Sequence, residues 1–173
     1  IDGLVAERTP ILAVVAVVGT TEEGAVDEIH KIIRLREHYA ALGVSFYVHI
    51  DAAYGGYART LFLDEEGQFM DFEDLEKRHA DRSISPGEDN WLNREVYEAF
   101  KAMPRADSIT VDPHKLGYIP YAAGGIVAAD RRVIDLISYF AAYVFEESHD
   151  NPMLLGSYIM EGSKAGAAVA AVW

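Results

Sequence analysis

Two short stretches carry residue types suited to covalent chemistry. Ser108 to Gly125, SITVDPHKLGYIPYAAGG, is a β-branched strand (Ser108 to Val111) running into Asp112-Pro113-His114-Lys115 and then a bend rich in Tyr and Gly. Most lysines that follow a strand are solvated ends. Lys115 differs in its setting, beside His114 and walled by Leu116, Tyr118 and Tyr121, where desolvation would lower the pKa of the amine and leave it nucleophilic. Such a setting suits a Schiff-base lysine. The second stretch, Val44 to Tyr57, VSFYVHIDAAYGGY, is an apolar strand that delivers Asp51 at its carboxyl end, ahead of the small residues Ala52, Ala53, Gly55 and Gly56. Ligands of open parallel sheets bind outside the carboxyl ends of the strands, so an acid and a lysine at two such ends can face one ligand.

An aspartate paired with a pyridinium nitrogen and a lysine forming an imine are the two protein groups that pyridoxal phosphate chemistry demands. The combination HIDAAYGG followed by ITVDPHKLGY resembles the pyridoxal-phosphate-dependent decarboxylases of group II, which include the aromatic amino acid, glutamate and tyrosine decarboxylases. GTTEEGAVDEI upstream, with ISYFAAYVFE and EGSKAGAAVAAVW downstream, is most similar to the bacterial tyrosine decarboxylases. The resemblance runs from about Pro10 to Trp173 and is weakest over Asp64 to Met103. It implies a fold type I, transferase-like α/β architecture, with a partial, mainly parallel sheet flanked by helices. It also implies pyridoxal 5'-phosphate as cofactor, an amino acid substrate, and a homodimer in the full-length protein. The expected reaction is decarboxylation of L-tyrosine or L-dopa, with glutamate or another amino acid as the alternative substrate.

Each candidate residue then has an expected role. Lys115 joins the cofactor aldehyde, and Asp51 keeps a proton on the ring nitrogen so that the ring stays a strong electron sink. Ala53 follows Asp51 by two, so on an extended backbone both point to one side, and in the family the equivalent alanine packs on the cofactor ring. His49, by the same alternation, shares the face of Asp51, where it hydrogen-bonds the aspartate or lines the pocket. The resemblance places His114 near the cofactor phosphate or the entrance, and puts the hydroxyl of Thr20 near the ring or carboxylate. The other reading is a helix-entry cap, and both can hold, since Thr20 and Thr21 stand side by side. A decarboxylase also needs a proton donor, commonly a tyrosine in this group. Tyr121 is favoured over Tyr118, Tyr139 and Tyr143, on a loop stiffened by Pro120.

The composition narrows the classes. At 173 residues and 50% hydrophobic, the chain is about one domain and can bury a core. No apolar run approaches the roughly 18 residues of a membrane span. Cysteine is absent, which removes disulfides and thiolate chemistry and fits a reducing cytoplasm. A net charge of −13 argues against nucleic-acid or anionic-membrane partners. From the start at Ile1 and the end within a helical pattern, a fragment is expected. With the resemblance, residues 1–173 are expected to be the second half of the large cofactor domain, with an acidic excursion over about 64–103.

Periodicity supplies the positioning elements. Ile11 to Val18 reads as a strand covered on both faces. Val26, Ile29, Ile32, Ile33, Leu35 and Leu42 recur at helical spacing, which predicts a helix from about Ala25 to Leu42, with acids at its start and Gly43 as its stop. Strand, helix and strand in succession make a right-handed βαβ unit the economical topology. Phe72 to His79 and Trp91 to Met103 read as helices, with a loop over Ser83 to Asn90 between them. Gly124 to Ala129 reads as a strand pairing back on the lysine strand. Asp130 is the expected N-cap of a helix from Arg131 to Phe145, and Pro152 to Trp173 is expected to be a tightly packed helix or helix pair. His30, His38, His79 and His149 are read as surface or structural residues, and Ser163-Lys164 lacks the glycine spacing of a phosphate loop.

Two other classes remain open at this point. His49, Asp51, Asp112 and His114 could ligate a metal in a hydrolase. As a truncated piece without a phosphate cradle, the chain could also be inactive by itself.

Overall fold

The β-branched run after Leu12 forms β1 (Ala13–Val17), and the apolar stretch before Asp51 forms β2 (Tyr47–Asp51). The structure, a computed structural model, describes residues 1–80, 93–137 and 166–173. A four-stranded sheet has the order β1, β2, β3 (Ser108–Val111), β4 (Gly125–Ala128). β1 to β3 run parallel, and β4 returns antiparallel on β3, with Val111 opposite Gly125. The sheet is therefore mixed but mainly parallel, and the return strand follows directly from the glycine-rich bend. A short helix, α1 (Asp2–Ala6), precedes it.

One face of the sheet is covered by α2 (Ile29–Ala41) and α4 (Arg94–Ala102). Ala16, Val18, Val48 and Ile50 are fully buried against Ile29, Ile33, Tyr97 and Phe100 in one apolar cluster. The alternate residues look the other way, and there Val15 is 59% exposed and Ile126 65%. The expectation that β1 is covered on both faces thus fails among the described residues. Its alternation leaves Val15 on the same side as Asp51 and Thr110, the side on which the candidate chemistry sits.

The first long helix begins four residues later than its periodicity predicts. Val26 is taken by an antiparallel bridge to Val18, and Asp27 is used up on β1, its carboxylate accepting the Val17 N–H at 2.7 Å. Acids expected to open the helix instead tie a tight return, and Glu28 caps α2 without a side-chain bond. Elsewhere α3 (Phe72–Ala80) lies where the pattern puts it, and α4 falls within the helix expected from Trp91 to Met103, whose first residues lie outside the described ones. Asn93 caps α4 by accepting the Glu95 N–H at 2.8 Å, and Pro104 sits in a 3₁₀ turn, Met103–Arg105, rather than ending the chain's helical course abruptly. α2 and α4 are also joined by polar contacts: the buried His30 meets Glu95 at 3.2 Å, which makes it structural.

Asp130 does accept the Arg132 N–H at the start of α5 (Arg132–Ile137). The predicted continuation to Phe145, with Tyr139 and Tyr143, lies outside the described residues, as do the loop Ser83 to Asn90, His149 and Ser163-Lys164. Of the carboxyl-terminal expectation, the described part is α6 (Gly166–Val172).

Candidate functional site

Parallel pairing sets the site. β2 and β3 stay in register up to Asp51 and Thr110. The ladder then continues past the strands: Ala52 donates to the Thr110 carbonyl at 3.0 Å and Asp112 donates to the Ala53 carbonyl at 3.2 Å. The Asp51 turn and the lysine turn are thereby joined at the carboxyl edge of the sheet, the edge at which α/β folds bind ligands.

Asp112-Pro113-His114-Lys115 is a hydrogen-bonded turn, with the Lys115 N–H donated to the Asp112 carbonyl at 3.0 Å. The side chains meet as well, Lys115 Nζ lying 2.9 Å from Asp112 Oδ2. This overturns the expected electrostatics of the lysine. The hydrogen bond that the Lys115 amine gives to Asp112 raises it above the ordinary lysine value, and Asp51 and Tyr121 add to this, while the opposing effect of burial is too small to win. With 34% of its side chain exposed, Lys115 is not desolvated enough to become a neutral amine by burial alone.

Asp51 is exposed and holds its own turn, Oδ1 accepting the Ala53 N–H at 3.1 Å. Ala53 therefore lies in a turn and not on the extended backbone from which alternation placed it beside Asp51; the carboxylate's bond to its amide is what keeps the two together. His49 does not hydrogen-bond Asp51. Its ring spans to β3, Nδ1 to Ser108 Oγ at 2.7 Å and Nε2 to Thr110 Oγ1 at 3.0 Å, so it fixes the strand pair beneath Asp51. Thr20 is likewise turned to structure. Its hydroxyl accepts the Ala25 N–H at 3.0 Å and donates to Glu23 at 3.2 Å, which closes the return before α2.

His114 points its Nδ1 at the Ala123 carbonyl, 2.5 Å away, and its Nε2 at Asp112, 3.7 Å away. A carbonyl only accepts, so Nδ1 carries the proton and Nε2 faces the carboxylate. The ring of the largely exposed Tyr121 lies over His114, centroids 4.2 Å apart. Tyr118 is 88% exposed.

Glycines make the close approaches possible. Gly55 donates to the Val18 carbonyl at 2.9 Å, and a Cβ there would lie 2.8 Å from the Val18 carbonyl carbon and 3.0 Å from the Gly19 nitrogen. At Gly117 a Cβ would meet the Pro113 oxygen at 2.5 Å and Tyr57 Cζ at 2.9 Å, so the lysine loop seats on Tyr57 only because residue 117 has no side chain.

The donors present fit a pyridoxal phosphate ring: an amine, an exposed carboxylate with its Oδ1 on a neighbouring amide, and an imidazole, all at one sheet edge. They do not fit the metal alternative. Among the described residues no three His, Asp or Glu side chains gather around one point, and both nitrogens of His49 are engaged. The residue that sequence reading weighed only as a metal ligand is Asp112, the partner of Lys115. Its signal was the three-residue spacing across an Asp-Pro turn, which brings the first and fourth residues together.

The mainly parallel sheet with its flanking helices has the α/β architecture of the fold type I pyridoxal-phosphate enzymes. The chain belongs among them to the group II decarboxylases, as a segment matching part of their length. It is 58% identical over 168 residues to the L-tyrosine decarboxylase of Levilactobacillus brevis, covering 97% of this chain and 27% of that protein. To the L-tyrosine decarboxylase of Enterococcus faecalis it is 56% identical over 173 residues, covering all of this chain and 28% of that protein. The chain thus spans little more than a quarter of the length of these curated relatives. The solved structure of Catharanthus roseus tryptophan decarboxylase in complex with L-tryptophan shares the fold, with a TM-score of 0.59 at 13% identity over 99% of this chain and 27% of that one. No family model matches the chain. Among the described residues no helix is long and apolar enough to cross a membrane.

Proposed function

We propose that this chain is the second half of the large cofactor domain of a pyridoxal-phosphate-dependent L-tyrosine decarboxylase, which converts L-tyrosine to the amine and carbon dioxide. The observation that carries the reading is the β2–β3 register, which brings the Asp51 turn and the Lys115 turn to one edge. The substrate rests on the identity to the two L-tyrosine decarboxylases. A homodimer in a reducing cytoplasm is part of the same reading.

Pyridoxal phosphate, when bound, supplies the electron sink that accepts the pair left as carbon dioxide departs. The chain's residues do the rest. Lys115 holds the cofactor covalently through its amine, which must first lose the proton that Asp112 stabilises. Asp51 holds a proton at the ring nitrogen, since its exposed carboxylate gains more from a charged partner than from a neutral one. Ala53, tied to Asp51 through its amide, offers a methyl to the ring. His114 keeps its proton on Nδ1 and presents Nε2 to the turn, and the hydroxyl of Tyr121, whose ring lies over His114, would donate the proton that the α-carbon takes up.

The test is product analysis with the full chain. Tyramine released from L-tyrosine, in preference to amine from L-dopa, L-glutamate or L-aspartate, supports the reading, and preference for an acidic amino acid rejects the substrate. Borohydride treatment should fix the cofactor to the peptide carrying Lys115; a label on any other lysine rejects the site.

A further inference from the structure

Asp112 is the group that Lys115 touches, Nζ to Oδ2 at 2.9 Å. Its side chain is 17% exposed, against 34% for the lysine. The backbone fixes it from two sides, through the N–H given to Ala53 and the carbonyl that receives the Lys115 N–H. Gly124 stands against it: a Cβ there would lie 3.3 Å from Oδ1, so the missing side chain leaves the carboxylate its room. A carboxylate enclosed to this degree is costly without a partner, and among the described residues the charged groups that face it are Lys115 at 2.9 Å and His114 at 3.7 Å. Those that act on the lysine are Asp112, Asp51 and Tyr121, and of the two acids Asp112 alone hydrogen-bonds it.

We propose that Asp112 is a positioning residue, whose carboxylate holds the Lys115 side chain as an ion pair at the Asp51 edge of the sheet until the cofactor takes the amine. The inference rests on Lys115 being the cofactor lysine. It follows that Asp112, and not Asp51, governs the pH at which Lys115 becomes a free amine.

Competitive labelling of the full chain, stripped of cofactor, tests this. Trace acetic anhydride is applied across about pH 7 to 12, the range in which lysines titrate, and labelling of Lys115 is read by mass spectrometry. In Asp112→Asn the Lys115 curve should move to lower pH, raising its labelling near pH 8 on the order of tenfold, because one unit of pKa is a tenfold change in neutral amine. Asp112→Glu should stay near wild type, and Asp51→Asn should move the curve less than Asp112→Asn does. Lys31 and Lys101, in the same spectra, should not move, which shows that the fold is intact. An Asp112→Asn curve lying on the wild-type one overturns the proposal. So does an Asp51→Asn shift as large as that of Asp112→Asn. If Asp112→Asn does not fold, a large shift in Asp51→Asn with Asp112→Glu unmoved overturns it equally. Borohydride trapping is scored separately: a cofactor attached elsewhere removes the role of Lys115, while the labelling curves still decide whether Asp112 is its partner.

Discussion

The backbone N–H of Asp112 is donated to the carbonyl of Ala53 at 3.2 Å, beyond the last paired residues of β2 and β3. This bond makes the lysine turn and the aspartate turn one unit. The relative placement of the Lys115 amine and the Asp51 carboxylate then depends on a short backbone ladder and not on the reach of two flexible side chains, which is how a site is held to the tolerance that chemistry requires.

Lys115→Ala should lose covalent attachment of the cofactor altogether. The absorbance of the attached form and the borohydride-stable mass increment should both vanish, and retention of the coloured adduct at full strength would count against Lys115.

Asp51→Asn should keep the attachment and lose the reaction. Removing the charge opposite the ring nitrogen is expected to lower turnover of L-tyrosine on the order of a thousandfold, about 4 kcal/mol of barrier. Turnover equal to wild type in a variant that still holds cofactor would take Asp51 out of its role.

Tyr121→Phe keeps the ring on His114 and removes only the hydroxyl. If that hydroxyl supplies the proton, turnover should fall about a hundredfold, the lower end of what a general acid contributes, with the cofactor absorbance unchanged. Tyr118→Phe, at an 88% exposed position, should be silent. A loss in Tyr118→Phe with none in Tyr121→Phe would exchange the two assignments.

Gly55→Ala should act on the fold. The new methyl would press on the backbone at Val18 and Gly19, which cannot swing away as a side chain can, and overpacking of this kind costs about 1–3 kcal/mol. Thermal denaturation should show a loss of several degrees. Gly166→Ala, where nothing lies within 4 Å, is the control and should denature no earlier than wild type.

Much of this arrangement was legible in the residues. Strands, helices and the return strand left their mark as apolar runs, helical spacing and a glycine-rich bend, because each reflects which atoms can be kept from water over a short length of chain. The same holds for the lysine and aspartate motifs, whose positions at strand ends follow from where β-branched runs stop. Side-chain pairings between distant segments were not legible. Asp27 serves β1 and not the helix it precedes, His49 bonds Ser108 and Thr110 and not Asp51, and Thr20 closes its own turn. Each polar group takes whichever partner the fold brings within about 3 Å, and spacing along the chain does not record that. The charge of Lys115 was decided in the same way. Its apolar neighbours in sequence pointed to a lowered pKa, whereas Asp112, folded back on it across one turn, raises it, since at such contact an opposite charge outweighs partial burial.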